Sequence, residues 1–302
     1  MKVKFKELPK FWRRLIIVLI STVVFLVTLL SVFQIFLTSY RSENAAKRAV
    51  VKKLDSELIG TRFEVPRDGK DSVKVNLYVP EDSSNEKLPV IFNFHGGGFV
   101  LGDADEMDTQ CDSWANDWNA IIVSINYTKA DVKPINYGVE EATDTILYFA
   151  EHADEYNAAT EKFSVIGHSA GGHYAAKTAI NLDKEGFKLA SQILVCPWTT
   201  GLPDKVNSSV APALFILGGS DAISQKTPAY QEVLRDSGVN VEVKEYEGGL
   251  HPFISTPYPE LSKSFTKEEK EEFITEELQE LAIQAEKDIN EWLTNNTLEE
   301  LK

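Results

Sequence analysis

Short, mostly apolar runs alternate with amphipathic stretches along most of this chain. The runs cover Leu88–Phe94, Ala120–Asn126, Phe163–Gly167, Ser191–Cys196, Ala213–Leu217 and Val239–Tyr246. Helix-period patterns lie between or after them, at Tyr137–His152, Ala170–Leu182, Thr227–Ser237 and Glu271–Leu293. A strand that is apolar throughout needs cover on both faces. The pattern therefore predicts an α/β fold, a mostly parallel central sheet with helices on both sides. Upstream, Thr61–Pro66 and Ser72–Pro80 alternate apolar and polar residues, as an antiparallel pair at a sheet edge does.

One run is of another kind. Leu15 to Leu37 carries no charge, and at about 1.5 Å per residue a helix of that length spans the roughly 30 Å of a bilayer's hydrocarbon. Six basic residues precede it against the single acid Glu7, whereas only Arg41, Lys47 and Arg48 follow closely. The positive-inside rule then keeps the N-terminus cytoplasmic and exports everything after Tyr40. The alternative is a secreted protein whose signal peptide is cleaved. The run is longer than an ordinary signal core, and only Asn44-Ala-Ala offers a weak cleavage site, which favours an uncleaved anchor in the cell membrane. The expected organisation is a basic N-terminus at 1–14, a membrane helix at 15–37, a charged connector at 38–60 and the α/β domain at 61–302.

Charge and cysteine content narrow the partners. The chain of 302 residues has a formal net charge of −15. Residues 1–41 hold seven basic residues and one acid, so the remainder carries −21. Such a domain repels polyanions, which excludes nucleic acid as an electrostatic partner. Cys111 and Cys196 are the two cysteines, too few for a disulfide framework, and whether they pair is left open. Oligomeric state is not legible.

The chemistry concentrates in Ser164-Val-Ile-Gly-His-Ser-Ala-Gly-Gly172. An apolar strand leads into a G-x-S-x-G turn and then a helix starting near Ala170, the context that exposes a serine hydroxyl on a sharp elbow. Gly167 and Gly171 suit a turn too tight for side chains. A nucleophilic Ser169 needs a base, an acid to orient it and donors for an oxyanion. In this arrangement the acid and then the histidine follow the serine in sequence. His173 lies one helical turn beyond the serine and reaches it poorly, which leaves His251, in Gly248-Gly-Leu-His, directly after the last strand. Asp221 follows the strand Ala213–Leu217 and two glycines, at a strand's carboxyl end where α/β sheets gather catalytic groups. Asp204 and Asp236 do not sit at strand ends. Upstream, His95-Gly96-Gly97-Gly98 follows another strand. Its bare backbone makes the N–H groups of Gly97 and Gly98 candidate oxyanion donors, with that of Ala170 completing the set. No Lys-Ser/Thr follows the glycines, which disfavours a phosphate loop.

These motifs resemble those of the hormone-sensitive-lipase-like branch of the α/β-hydrolase esterases. The matching text is His95-Gly-Gly-Gly-Phe-Val-Leu-Gly102, Ile125-Asn-Tyr127, Gly167-His-Ser-Ala-Gly-Gly172, Pro197-Trp198, Asp221 and His251-Pro-Phe253. The resemblance implies hydrolysis of carboxylic esters, usually short-chain, through an acyl-enzyme and with neither cofactor nor metal. The substrate would be a small-molecule or glycan-linked ester. Amide cleavage by the same residues is an alternative, as is a non-catalytic binding protein on the same fold. The chain departs from the family in three places. Tyr127-Thr-Lys-Ala-Asp131 replaces the usual Tyr-Arg-Leu-Ala-Pro-Glu, and His168 stands where Asp commonly precedes the serine. The fourteen residues 199–212 are too few for a helical cap. A minimal lid is expected, built there, from the connector at 42–60 or from Ser255–Thr266.

Overall fold

A computed structural model describes residues 9–81, 86–251, 253–263 and 266–298. Residues 1–8 of the expected cytoplasmic segment, Pro252 beside His251, and 264–265 of the lid candidate lie outside the described residues.

The chain divides into two compact units, with the boundary between Lys47 and Arg48. The first is dominated by helix α1 (Lys10–Val51), which runs on through the apolar stretch into the sequence expected to be a connector. Its apolar side chains are exposed, and it is long and apolar enough to cross a membrane, a test that a signal sequence also passes. The hydroxyls of Thr28, Ser31 and Thr38 each donate to the carbonyl four residues earlier, at 2.9, 2.8 and 2.8 Å. These polar groups are thereby satisfied inside the helix, as a hydrocarbon surrounding demands.

The second unit is built on one eight-stranded sheet, ordered β1-β2-β4-β3-β5-β6-β7-β8. Its strands are β1 (Thr61–Val65), β2 (Val73–Tyr78), β3 (Leu88–Phe94), β4 (Ile121–Ile125), β5 (Ala158–His168), β6 (Ser191–Val195), β7 (Ala213–Gly218) and β8 (Val241–Tyr246). β1 pairs antiparallel with β2, and β2 antiparallel with β4; every other pairing is parallel. The alternation of side chains sorts the apolar runs into two layers. Val90, Phe92 and Phe94 of β3, with Phe163, Val165 and Phe215 of β5 and β7, enter one core under α3 (Ile135–Glu151), α4 (Ala170–Lys184) and α5 (Pro228–Asp236). Ile91, Ile122, Ile166, Leu214 and Ile216 enter the other, under α2 (Asp108–Asp117) and α8 (Glu276–Leu298). The predicted two-sided cover is realised.

Two helical expectations change. The pattern at Glu271–Leu293 is two helices, α7 (Lys267–Phe273) and α8. The break comes at Thr275, whose hydroxyl accepts from the N–H of Leu278 at 3.2 Å and so caps a new helix. Helix α2 escaped the sequence pattern because Asp-Thr-Gln-Cys-Asp-Ser-Trp-Ala-Asn-Asp is largely polar. Burial of Cys111, Trp114 and Ala115 holds it in place instead.

Buried carboxylates fasten the segment after α1 to the sheet. Asp108 accepts from Lys53 Nζ, the N–H groups of Ile59 and Gly60, and the Tyr78 hydroxyl. Asp105 accepts from both Arg62 and Asn76. Lys53 also reaches Glu260 of the short helix α6 (Pro259–Lys263) at 2.7 Å, linking the two stretches considered as lids.

Phe92 tests the larger core. Its ring lies edge-on to Phe149 and Phe163, with centroids 5.7 and 5.3 Å away. Phe92→Ala is expected to destabilise the unit by about 3–5 kcal/mol, read as a lower urea midpoint with little change in slope.

Candidate active site

Ser169, Asp221, His251 and the glycine loop at 95–98 each follow the carboxyl end of a strand. β5 ends at His168, and α4 begins at Ala170. Between them Ser169 adopts φ 54° and ψ −117°, a conformation that side chains normally avoid. The surroundings enforce it. The Ser169 N–H donates to the Val195 carbonyl at 2.9 Å, and the Ser169 carbonyl accepts from Trp198 and Gly172 at 2.9 and 3.0 Å. A Cβ on Gly167 would run into the Gly171 carbonyl, and one on Gly171 into the carbonyl of Phe94. Only glycine allows β3, β5 and α4 to approach this closely.

The other two members converge on the serine. His251 Nε2 lies 2.8 Å from Ser169 Oγ, and His251 Nδ1 lies 3.0 Å from Asp221 Oδ2. Asp221 is buried, and its oxygens also accept from the Ile223 N–H and from the Ser224 N–H and hydroxyl. Burial by itself would raise the carboxyl's pKa. The hydrogen bonds from His251, Ile223 and Ser224 outweigh it and hold the group well below the usual carboxylate range. The loops carrying the acid and the histidine are stitched together, Gly219 donating to Tyr246 and Ser220 to Gly249.

The glycine loop flanks the same serine. A Cβ on Gly96 would lie 3.6 Å from that of Ser169. Gly97 and Gly98 take φ 121° and 57°. Among the described residues nothing accepts from the N–H groups of Gly97, Gly98 or Ala170. The N–H of Ala170 belongs to the first turn of α4, whose amides have no partner within the helix. His95, by contrast, is fully engaged: its carbonyl accepts from the Tyr127 hydroxyl at 2.7 Å, and its ring stacks on that of Tyr127. At the loop's far end the Arg48 guanidinium donates to the Val100 carbonyl at 2.6 Å and pairs with Asp131. Arg48 and Lys129, which touches the His95 ring, were not among the residues expected to serve the site. For Lys129 the departure from the family's usual text was the signal.

The site is open. No helix occupies 199–212, and the His251 side chain is 34% exposed. Phe99, from the glycine loop, meets the rings of His173, Tyr174 and Trp198 at 5.4–6.4 Å. Both cysteines are buried and free. Cys196, Asp221 and His251 offer possible ligand atoms within 4.8 Å of one another. Burial pushes the Cys196 thiol up to about 12, so the thiolate a metal would require is disfavoured. Asp221 and the near nitrogen of His251 are already engaged with each other. The donor set fits proton transfer better than a metal.

A family described as alpha/beta hydrolase fold matches residues 91–209 and 202–255. Esterase LipI of Mycobacterium tuberculosis strain H37Rv is 34% identical over 149 residues, covering 48% of this chain and 47% of LipI. An acetyl esterase of Salmonella paratyphi B is 30% identical over 155 residues, covering 51% and 47%. The chain thus spans about half the length of the curated relatives it matches. Among solved structures, an esterase of Pyrobaculum calidifontis superposes with a TM-score of 0.64 at 22% identity, covering 86% of this chain and 92% of that one. A fungal esterase of Rhizomucor miehei gives 0.66 at 21%, covering 87% and 91%. At those identities the likeness is one of fold, and the fold is that of an α/β-hydrolase.

Two histidines beside Ser169 make stability depend on pH. Burial, followed by the charge of His251, pushes His168 down to about 3; burial also pushes His173 down to about 4. Unfolded histidines take up a proton near pH 6.5. Below that value the unfolded chain binds more protons than the folded one, so stability is lost as pH falls from about 6.5 towards 4. The urea midpoint is expected to drop between pH 7 and pH 5, and by less in His173→Gln. An equal drop in the variant would remove His173 from the account.

Proposed function

The chain belongs to the α/β-hydrolase fold family, and from that membership and the site's geometry we propose a membrane-anchored serine hydrolase of carboxylic esters, of the hormone-sensitive-lipase-like branch. The observation that carries the proposal is the continuous relay from Asp221 through His251 to Ser169, at 3.0 and 2.8 Å, beside three backbone N–H groups that have no acceptor among the described residues. The esterase names of the relatives support the same class.

In the proposed reaction His251 Nε2 accepts the Ser169 proton as Oγ attacks the ester carbonyl. Asp221 keeps the other imidazole proton on Nδ1 and balances the imidazolium that forms. The N–H groups of Gly97, Gly98 and Ala170 hold the oxyanion, each such donor being worth about 2.7–4 kcal/mol in the transition state. The positive end of α4 points the same way. His251 then protonates the departing alcohol, and water repeats the sequence on the acyl-enzyme to release the acid. With no cap between β6 and β7, short acyl groups against Phe99 and Trp198 are the proposed substrates. The apolar part of α1 is proposed to tether the domain to the outer side of a membrane, on the strength of its length and basic flank.

The test is hydrolysis of p-nitrophenyl acetate, butyrate and octanoate by the full chain in detergent, together with the matching anilides. Turnover of the two shorter esters is expected. Ser169→Ala should lower it about 10³-fold or more at unchanged thermal stability. Equal turnover in that variant rejects Ser169 as nucleophile, and faster cleavage of the anilides would reassign the class to amides.

A further inference from the structure

Lys129 takes no part in the reaction just described, yet it is a buried cation at the edge of the site. It is 5% exposed, on the loop after β4. Its Nζ lies 3.0 Å from His95 Nε2, 3.0 Å from Asn126 Oδ1 and 2.6 Å from the Tyr127 carbonyl, and 4.3 Å from the centre of the Tyr127 ring. An ammonium has three N–H donors and no acceptor. All three are used here, one on each neighbour, so His95 Nε2 has to present its lone pair. The ring proton of a neutral His95 then sits on Nδ1. That atom lies 2.6 Å from the Gly96 carbonyl, to which it donates. Burial and then the charge of Lys129 hold His95 well below the usual histidine range, so the ring stays neutral.

The consequence runs through one peptide plane. The Gly96 carbonyl and the Gly97 N–H belong to the same planar trans unit, so fixing the carbonyl fixes the direction of the N–H opposite it. Gly96 and Gly97 carry no side chains that could anchor that plane, and the hydrogen bond from Leu101 N–H goes to the carbonyl of the next plane, that of Gly97. The opposite tautomer would set an Nε2–H against the ammonium and leave Nδ1 without a proton for Gly96.

We infer that Lys129 is a positioning residue: it holds His95 in its Nδ1–H tautomer, and His95 in turn holds the Gly96–Gly97 peptide with its N–H in place for the oxyanion. The inference rests on the ester-hydrolase reading of Ser169. It gives a role to the lysine at which the chain departs from the resembling family.

Lys129→Met in the full chain is expected to lower kcat for p-nitrophenyl acetate about 10- to 100-fold, the scale of a small misplacement of catalytic groups. KM should stay within about twofold of the parent value. In a His95→Gln background the same change should cost less than about threefold, because the residue it acts through is gone. Lys129→Gln keeps N–H donors and should recover part of the loss. A readout independent of any variant's folding is the ¹⁵N spectrum of the histidine-labelled parent. It should show His95 with a proton on Nδ1 and a bare Nε2. An Nε2–H tautomer, an unchanged kcat in Lys129→Met, or losses that simply multiply with those of His95→Gln would each overturn the inference. Failure of the function reading looks different: the unaltered chain then hydrolyses no ester, whatever the tautomer of His95.

Discussion

The proposed chemistry depends on one backbone angle. Ser169 stands at φ 54° between a strand and a helix, and any relaxation towards an ordinary conformation would turn Oγ away from His251. Such a residue costs on the order of 1–3 kcal/mol and persists only when its surroundings over-determine it. Here they do. The Ser169 N–H and carbonyl are both bonded to the chain leaving β6, at Val195 and Trp198. Gly167 and Gly171 let α4 close against the ends of β3 and β5 with no room for a side chain. The elbow is thus a property of three neighbouring strands and one helix packed together, and the five-residue motif is the part of it that can be read along the chain.

The glycine loop poses the opposite problem. Ser169 is strained and held through its backbone, whereas Gly96–Gly98 have no side chains to anchor them; inside the loop the Leu101 N–H donates to the Gly97 carbonyl at 2.8 Å, and the rest of the support comes from outside. That support comes from polar groups at both ends. Tyr127 and Lys129 engage His95 at the start, while Arg48 engages Val100 near the finish and is itself paired with Asp131. A buried cation is costly unless paired and hydrogen-bonded. Lys129 meets the condition with three acceptors and an aromatic face. Arg48 lies in the last turn of α1, so the segment read from sequence as a connector contributes a side chain to the loop beside the proposed nucleophile.

Much of this was legible in the chain. Apolar runs marked β3 to β7, because a strand buried on both faces tolerates few polar interruptions. Ser169, Asp221 and His251 were legible because each follows such a run within a few residues, and strand ends on one edge of a parallel sheet are close in space. Helix α2 was not, because its largely polar sequence hides the burial of Trp114. The break at Thr275 was missed because a single capping hydroxyl interrupts an otherwise continuous helical period. The roles of Arg48 and Lys129 depend on contacts 52 and 34 residues away along the chain, which no local pattern records.

The distribution of backbone strain adds an argument that owes nothing to motif. Among the described residues five non-glycine residues have positive φ: Phe99, Asn119, Asn157, Ser169 and Cys196. Asparagine tolerates that region, and the two asparagines occupy ordinary turns. Phenylalanine, serine and cysteine do not favour it, yet all three lie at the carboxyl edge of the sheet, after β3, β5 and β6. At roughly 1–3 kcal/mol each, they take a sizeable share of a typical domain's net stability of about 5–15 kcal/mol. The strain is sustained by the two apolar layers beneath, where Phe92, Phe163 and Phe215 on one side and Ile166, Leu214 and Ile216 on the other are fully buried. A sheet that concentrates its unfavourable geometry on the edge where Ser169, Asp221 and His251 meet has the form of a scaffold built around a preorganised site.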